Sequence, residues 1–359
     1  MKLYIVTGEP SGDLHAANLV HELKTHNSNL NIRAWGGDRL IAEGVEIAKN
    51  ISETAFMGLT NVILNLSAIK DHIDYCKSDI LQFKPDAIIL VDYPAFNLKI
   101  AEFAKSQGIK VFYYISPKVW AWNKGRISKI KNYVDHLLVI FPFEVDFYKN
   151  HGIEVNYVGN PLLDEINKDN FNISYQSDRP IVALLPGSRK QEIDMMLPEM
   201  LSIINDFPEF QFVIAATNLF SKAYYESFII TDNVAIVFNE TYGLLNKSDY
   251  AIVTSGTATL EAALFKVPQI VCYKTNWFTY CIAKLAIKVN YLSLVNILMD
   301  KLLVKELIQS EFNSKNLKLE LNNLINKKEP IKDDYEKLIK LLGSSGASKK
   351  SAQFIIASI

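Results

Sequence analysis

Asp92 closes an apolar run, AIILV at residues 87–91, within VDYPAFN. A carboxylate at the end of a buried strand is partly withdrawn from water. That raises its pKa and suits it to general-base work. The competing reading is a cap for the helix that Pro94 would open. His15, near the first loop, is a second candidate base, although a single histidine on a helix is more often structural. Three short loops could hold anions. PGSR, with Gly187, Ser188 and Arg189, follows a strand pattern and precedes a helical one. Amides at a helix start and a guanidinium together suit a phosphate or diphosphate. The alternative is a plain turn with an exposed arginine. SGTATLE offers Ser255, Gly256 and Thr257 in the same setting. Glu261 lies one helical turn past Thr257 on the same face, where a carboxylate can accept both hydroxyls of a ribose. Its alternative is a capping box without a ligand. The first loop, GEPSGD, carries Glu9 and Ser11. It is neither GxGxxG nor a P-loop. A tight turn with Ser11 as the helix N-cap is the other explanation. Two anion loops and a ribose-type acid in one half favour a nucleotide site.

These residues need elements to hold them. Strand patterns fall at residues 3–7, 32–35, 87–92, 111–116, 137–141 and 155–158. Helical patterns lie at 11–26, 95–107 and 124–134. The second half repeats the rhythm, with strands at 181–185, 212–216, 235–238, 251–254 and 270–273. Continuous apolar runs mean burial on both faces, as in parallel sheets covered by helices. The expected fold is α/β: two tandem doubly wound Rossmann-like domains with an interdomain cleft. Ligands of such folds bind at the carboxyl ends of strands. Residues 167–179 are polar and aperiodic, which suggests a linker. The expected domains are 1–166 and 167–333. From Lys305 onward the pattern is helical and rich in Lys and Glu. GSSGAS at 343–348 interrupts it, and the helices of 334–359 would pack on the first domain or on a partner subunit, which leaves a homodimer open.

The chain has 359 residues, with 38 Lys+Arg against 39 Asp+Glu and 49% hydrophobic residues. That composition excludes a disordered chain. Its near-neutral charge argues against nucleic acid as a bulk partner. Cys76, Cys272 and Cys281 form neither a disulfide framework nor a zinc motif, which favours a reducing compartment. No HExxH or paired CxxC occurs, so a metal-dependent mechanism has no support and no cofactor is expected. The start is too short for a signal-peptide core, and no apolar stretch approaches about 18–20 residues. A cytoplasmic protein able to lie on a membrane surface is expected. Two segments suit such contact. Residues 56–66 (FMGLTNVILNL) could be core or could cover an acyl chain. Residues 120–133 carry Lys124, Arg126, Lys129 and Lys131 beside two tryptophans; they could meet an anionic substrate or lipid headgroups, or form a solvated helix face.

Several motifs occur in order along nearly the whole chain: GEPSGD, FMG at 56, VDYPAFN, YYISPKVWAW at 113, FPFE at 141, VGNPL at 158, LLPGSR at 184, TSGTATLEA at 254 and YLSLVNIL at 291. With them the sequence resembles the lipid-A-disaccharide synthase family, bacterial glycosyltransferases of the GT-B type. SPKVWAW with LLPGSR is quite specific, whereas the SGTxxxE element is common to many GT-B transferases. The resemblance implies transfer from UDP-2,3-diacylglucosamine to 2,3-diacylglucosamine 1-phosphate, giving a β(1→6) disaccharide and UDP. It implies that Gly187, Ser188, Arg189, Ser255, Gly256 and Thr257 face the diphosphate and that Glu261 holds the ribose. Asn296 matches a donor-side position, Glu9 and Ser11 match positions linked to activity, and Asp92 matches the candidate base. Two departures stand out. Asn160 replaces a histidine found in many relatives, and Ala95 replaces a second aspartate, so Asp92 would act alone or with His15. Acylated substrates imply catalysis at a membrane surface, peripheral to the inner membrane. Two other readings stay open: a UDP-N-acetylglucosamine 2-epimerase-like enzyme, and a nucleotide-sugar-binding module without catalysis.

Overall fold

The computed structural model describes residues 1–53, 66–120, 125–166, 171–277, 280, 290–326 and 328–359, with side chains omitted at 66 and 328–330. Residues 56–65, Lys124, Cys281 and the start of the expected linker at 167–170 lie outside the described residues.

The chain forms two units, Met1–Asp164 with Leu342–Ile359, and Glu165–Leu341. The first holds seven strands: β1 (Lys2–Val6), β2 (Asn31–Gly36), β3 (Glu46–Asn50), β4 (Ala87–Val91), β5 (Lys110–Tyr114), β6 (His136–Val139) and β7 (Val155–Tyr157). All pair in parallel, in the order β3-β2-β1-β4-β5-β6-β7. Every residue of β4 is buried. Its Ile88, Ile89, Leu90 and Val91 each contribute about 1.5–3 kcal/mol by leaving water. Ile88 and Leu90 join Tyr4, Val6 and Tyr113 in one core.

The second unit holds β8 (Ile181–Leu185), β9 (Gln211–Ala216), β10 (Val234–Phe238), β11 (Tyr250–Thr254), β12 (Gln269–Tyr273) and β13 (Lys305–Ile308). These are also parallel, in the order β10-β9-β8-β11-β12-β13. Alternate residues of β8 feed two cores: Val182 and Leu184 face one side, Ile181, Ala183 and Leu185 the other. Both faces are therefore covered, as the continuous apolar run required. In each sheet the strand order reverses once, between β1 and β4 and between β8 and β11. Loops leaving those strand ends diverge to opposite faces and open a crevice.

Four expectations change. β3 was not anticipated, because EIAKN is only half-buried and charged, as suits an edge strand. Residues Lys305–Ile308, expected to be helical, form edge strand β13, in which Glu306 and Leu307 are buried. Residues 171–179 are not a free linker. Phe171 packs edge-on against Tyr242 and Phe265, and Ser174 is bonded to Glu240 through its amide (2.7 Å) and hydroxyl (2.9 Å). The C-terminal helices divide. The chain as far as Leu341 belongs to the second unit, and helix Ala347–Ser358 to the first, where it packs along helix Pro10–His26. Asp164 accepts from the amides of Gly346 (2.5 Å), Ala347 (3.2 Å) and Ser348 (2.8 Å), which would otherwise be orphaned at that helix start.

Candidate active site

In the first unit, the loops after β1 and β4 meet at the point of strand reversal. Gly8 has no room for a side chain, since a Cβ there would lie 2.2 Å from the Tyr93 ring. Glu9 is the N-cap of helix Pro10–His26, with Pro10 in its first turn. Ser11 already lies inside the helix and is exposed, so it is not the cap. Asp13 is buried and accepts from the amides of Gly37 (2.6 Å) and Arg39 (3.0 Å), which ties the loop to the next helix start. His15 is buried further along the same helix.

Asp92 and Tyr93 both adopt left-handed backbone, with φ of 45° and 48°. Such conformations cost non-glycine residues about 1–3 kcal/mol each and cluster at functional sites. Here the backbone is pinned on three sides. The Asp92 amide donates to the Tyr114 carbonyl (3.1 Å), while its carbonyl accepts from the Tyr113 hydroxyl (2.6 Å) and from Asn97 Nδ2 (2.8 Å). Asn97 is fully buried and also reaches the carbonyls of Val91 (3.3 Å) and Val6 (3.4 Å). It thus fastens the end of β1 to the end of β4. Tyr93, not Asp92, is the N-cap of helix Pro94–Ser106, which removes the capping explanation for Asp92. Burial pushes the Asp92 carboxyl up to about 6, against the pull of Lys118; Glu9 adds to the rise and Arg126 opposes it.

Lys118 and Arg126 are thereby placed beside Asp92, which spacing alone does not reveal. Arg126 opens helix Arg126–Tyr133 and is half-buried rather than part of a solvated face. Lys118 stands on the turn after β5. Buried Glu144 holds that turn, accepting from the Ser116 hydroxyl and from Trp120 Nε1 (3.2 Å), as well as from the amides of Ile140 (3.1 Å) and Phe141 (3.0 Å). The Tyr148 hydroxyl adds a bond to the Pro117 carbonyl (3.2 Å).

In the second unit, Gly187 has φ of 108°, and a Cβ there would lie 2.5 Å from Glu192 Oε2. Glu192 Oε2 accepts from the amides of Ser188 (3.1 Å) and Arg189 (3.3 Å), and its other oxygen lies 3.5 Å from Arg189 Nη1. The amides at the start of helix Lys190–Leu201 therefore face an anion, the chain's own carboxylate. After β11, the Ser255 amide donates to Cys272 (2.9 Å) and its hydroxyl to the Leu292 carbonyl (3.3 Å). Gly256 is the N-cap of helix Thr257–Leu264 without a side-chain cap bond, so the capping-box alternative fails. Gly256 and Thr257 are exposed. Glu261, one turn on, accepts from the Tyr242 hydroxyl (3.4 Å), and burial pushes its carboxyl up to about 7.

Asn296 is fully buried, and its amide is saturated within the chain. Nδ2 donates to Val304 and Glu306 (both 2.8 Å), and Oδ1 accepts from the amides of Leu303 (2.8 Å) and Val304 (2.9 Å). Glu306 in turn accepts from the amides of Leu292 (2.9 Å) and Ser293 (2.8 Å). The pair positions the turn on which Ser255 leans. Asn160, one of the two departures, is also buried, with Oδ1 accepting from the Leu162 amide (3.0 Å). A cavity of about 1110 Å³ in the second unit is lined by Arg179, Pro180, Asp249 and Lys266. These residues precede β8, β11 and β12, so the cavity opens at the amino ends of the strands, away from the candidate loops.

A family model described as lipid-A-disaccharide synthetase matches residues 3–357. The chain is 37% identical over 361 residues to lipid-A-disaccharide synthase 1 of Legionella pneumophila subsp. pneumophila (strain Philadelphia 1), covering 97% of this chain and 94% of that one. It is 37% identical over 364 residues to the lipid-A-disaccharide synthase of Syntrophus aciditrophicus (strain SB), with coverage of 97% and 95%. Among solved structures it is similar to a UDP-GlcNAc 2-epimerase from Neisseria meningitidis bound to UDP-GlcNAc. That likeness has a TM-score of 0.69 at 16% identity and covers 99% of this chain and 100% of that one. It is also similar to the glycotransferase of kitacinnamycin, with a TM-score of 0.67 at 11% identity and coverage of 100% and 99%. At such identities the structural likeness bears on the fold alone.

Proposed function

The chain belongs to the lipid-A-disaccharide synthase family and is a glycosyltransferase of lipid A biosynthesis; from that premise we propose how its residues divide the work. Asp92 is the base. It takes the proton of the 6-hydroxyl of 2,3-diacylglucosamine 1-phosphate as that oxygen attacks the anomeric carbon of UDP-2,3-diacylglucosamine. The bond from that carbon to the UDP oxygen breaks, UDP leaves with the electron pair, and a β linkage replaces an α one. A single in-line displacement accounts for the inversion. Asp92 suits the task because burial sets its carboxyl near 6, so it is mostly ionised at neutral pH yet basic enough to accept a proton.

The second unit holds UDP. The amides after Gly256 face the diphosphate with the hydroxyls of Ser188, Ser255 and Thr257, and those after Gly187 join them once the diphosphate displaces the Glu192 carboxylate. Arg189 meets the charge that grows on departing UDP, and no metal takes part in this reading. Preorganised donors of this kind need no reorganisation at the moment of reaction. Glu261 accepts the ribose hydroxyls. Glu9 and Ser11 line the acceptor side. Both sugars carry acyl chains, so turnover takes place at a membrane surface, with residues 56–66 and the basic segment 120–133, apart from half-buried Arg126, as the contacts. Flotation with anionic vesicles tests that placement; a protein that never co-floats rejects it.

The observation that carries the reading is the pinned, half-buried Asp92 at the strand reversal of a chain with this family membership. The test supplies both acylated sugars and follows UDP release and disaccharide formation by mass spectrometry. No disaccharide, or turnover of soluble UDP-N-acetylglucosamine alone, overturns it.

A further inference from the structure

We propose that Lys118 and Arg126 form an anion subsite beside Asp92 that receives the phosphate monoester of the acceptor and so selects a phosphorylated sugar. The proposal rests on Asp92 being the base and adds what holds the other end of the acceptor.

Both cations are close enough to pull on the charge of Asp92, yet Asp92 forms no ion pair among the described residues. The cations therefore stand off from the carboxylate rather than pairing with it. Lys118 is half-buried and makes no ion pair among the described residues. An ammonium without an ion-pair partner is available to an arriving dianion. Arg126 is half-buried beside Tyr113, and its planar fork suits two phosphate oxygens at once.

The presentation is rigid as well. Ser116 and Trp120 are both bonded to buried Glu144, and Pro117 to Tyr148, so the turn that carries Lys118 is fastened on either side of it. The Asp92 amide is bonded to Tyr114, four residues before Lys118, which fixes the two strand ends together. Arg126 begins a helix that packs against helix Pro94–Ser106, the helix that starts just past Asp92. Base and cations thus come from three neighbouring elements of one unit.

The same chemistry could come from an anionic phospholipid headgroup, and the experiment separates the two. Lys118→Gln, Arg126→Gln and Arg126→Lys are made in the full chain. Each is assayed in neutral detergent with 2,3-diacylglucosamine with and without its 1-phosphate, then with added phosphatidylglycerol. The phosphate-free sugar is also measured as a competitor, so selectivity is read even where its turnover is low. Each glutamine variant should lose about ten- to a hundredfold in kcat/KM on the phosphorylated acceptor, mostly through KM. Turnover or competition by the phosphate-free sugar should stay within about twofold. Arg126→Lys should recover part of the loss. UDP affinity, measured in parallel, reports on folding.

Equal loss on both acceptors, or none on either, overturns the proposal. In the first case the acid limb of the pH profile would also move for both acceptors, and the cations would act only on Asp92. A loss seen only with phosphatidylglycerol present assigns them to headgroups instead. A wild-type protein that makes no disaccharide from either acceptor rejects the underlying function, which is a separate outcome.

Discussion

At the reversal between β1 and β4 the first unit presents carboxylates, Glu9 and Asp92. At the reversal between β8 and β11 the second presents amides, hydroxyls and Arg189. The strand orders match over six strands, so topology provides the same crevice twice. What differs is the side chain at each strand end. The first unit turns Asp92 left-handed, pins its carbonyl and raises its pKa, which is an arrangement for moving a proton. The second unit turns backbone amides outward and feeds them an anion, which is an arrangement for holding charge. Even its acids follow that division: Glu192 caps amides, and Glu261 accepts from the neutral Tyr242 hydroxyl, in keeping with the ribose role proposed for it.

That division can be broken at its strongest point. Asp92→Asn removes the base but leaves the second unit untouched. Turnover should fall by about 10²–10⁴-fold, the usual contribution of a positioned base. Calorimetry should show UDP binding unchanged. Near-normal turnover would move the proton chemistry elsewhere, with His15 the next residue to test.

Arg189→Ala makes the reciprocal cut. Losing one preorganised charge-stabilising donor costs about 10²–10³ in rate. UDP affinity should weaken too if the guanidinium also meets the ground-state diphosphate, as proposed. A variant with weak UDP binding but normal kcat would mean that Arg189 only binds and does not assist departure.

The two raised carboxyls separate the units by pH. Asp92 must be ionised to accept a proton, so kcat should decline as pH falls below about 6. Glu261 must be ionised to accept both ribose hydroxyls. Its carboxyl sits at about 7, so UDP affinity should already weaken as pH falls through neutrality. The weakening approaches about tenfold per pH unit well below that value, by proton linkage. Glu261→Gln should bind UDP with a flat pH profile. If UDP binding and turnover lose strength at one common pH in the wild type, the acids are not divided as described.

Sequence reading reaches the parts of this picture that are local. Apolar runs marked the strands that are buried on both faces, and the chemical residues stand at the ends of those runs. Asp92 and Arg189 could be singled out as candidates for that reason, and Glu261 because it lies one helical turn past Thr257. Edge strands β3 and β13 escaped because their charged, half-exposed residues carry no continuous run. Lys118, Asn97, Glu144 and Glu306 escaped for a different reason, and Arg126 stands out only as part of a basic run, not as a neighbour of Asp92. Their roles depend on which strands lie side by side, and spacing along the chain does not encode that β5 neighbours β4. Asn296 shows the converse: a motif match marks the position, but only the structure shows that its amide is saturated inside the chain.

Asn97 tests the smallest part of the comparison, the fastening of the first reversal. Its amide donates to Val6, Val91 and Asp92, three carbonyls from two strand ends. Asn97→Ala leaves buried carbonyls without that donor, which should cost about 1–3 kcal/mol of stability. Tyr113 still holds the Asp92 carbonyl at 2.6 Å, so the left-handed turn should persist and turnover should drop only a few-fold. Adding Tyr113→Phe removes the second anchor. If the two anchors share one strained backbone, the double variant should lose more turnover than the product of the single losses, as coupled neighbours do. UDP affinity should not change in any of the three, because nothing in the second unit has been altered. Multiplicative losses would mean that each anchor stabilises the unit independently and that neither is needed to aim Asp92.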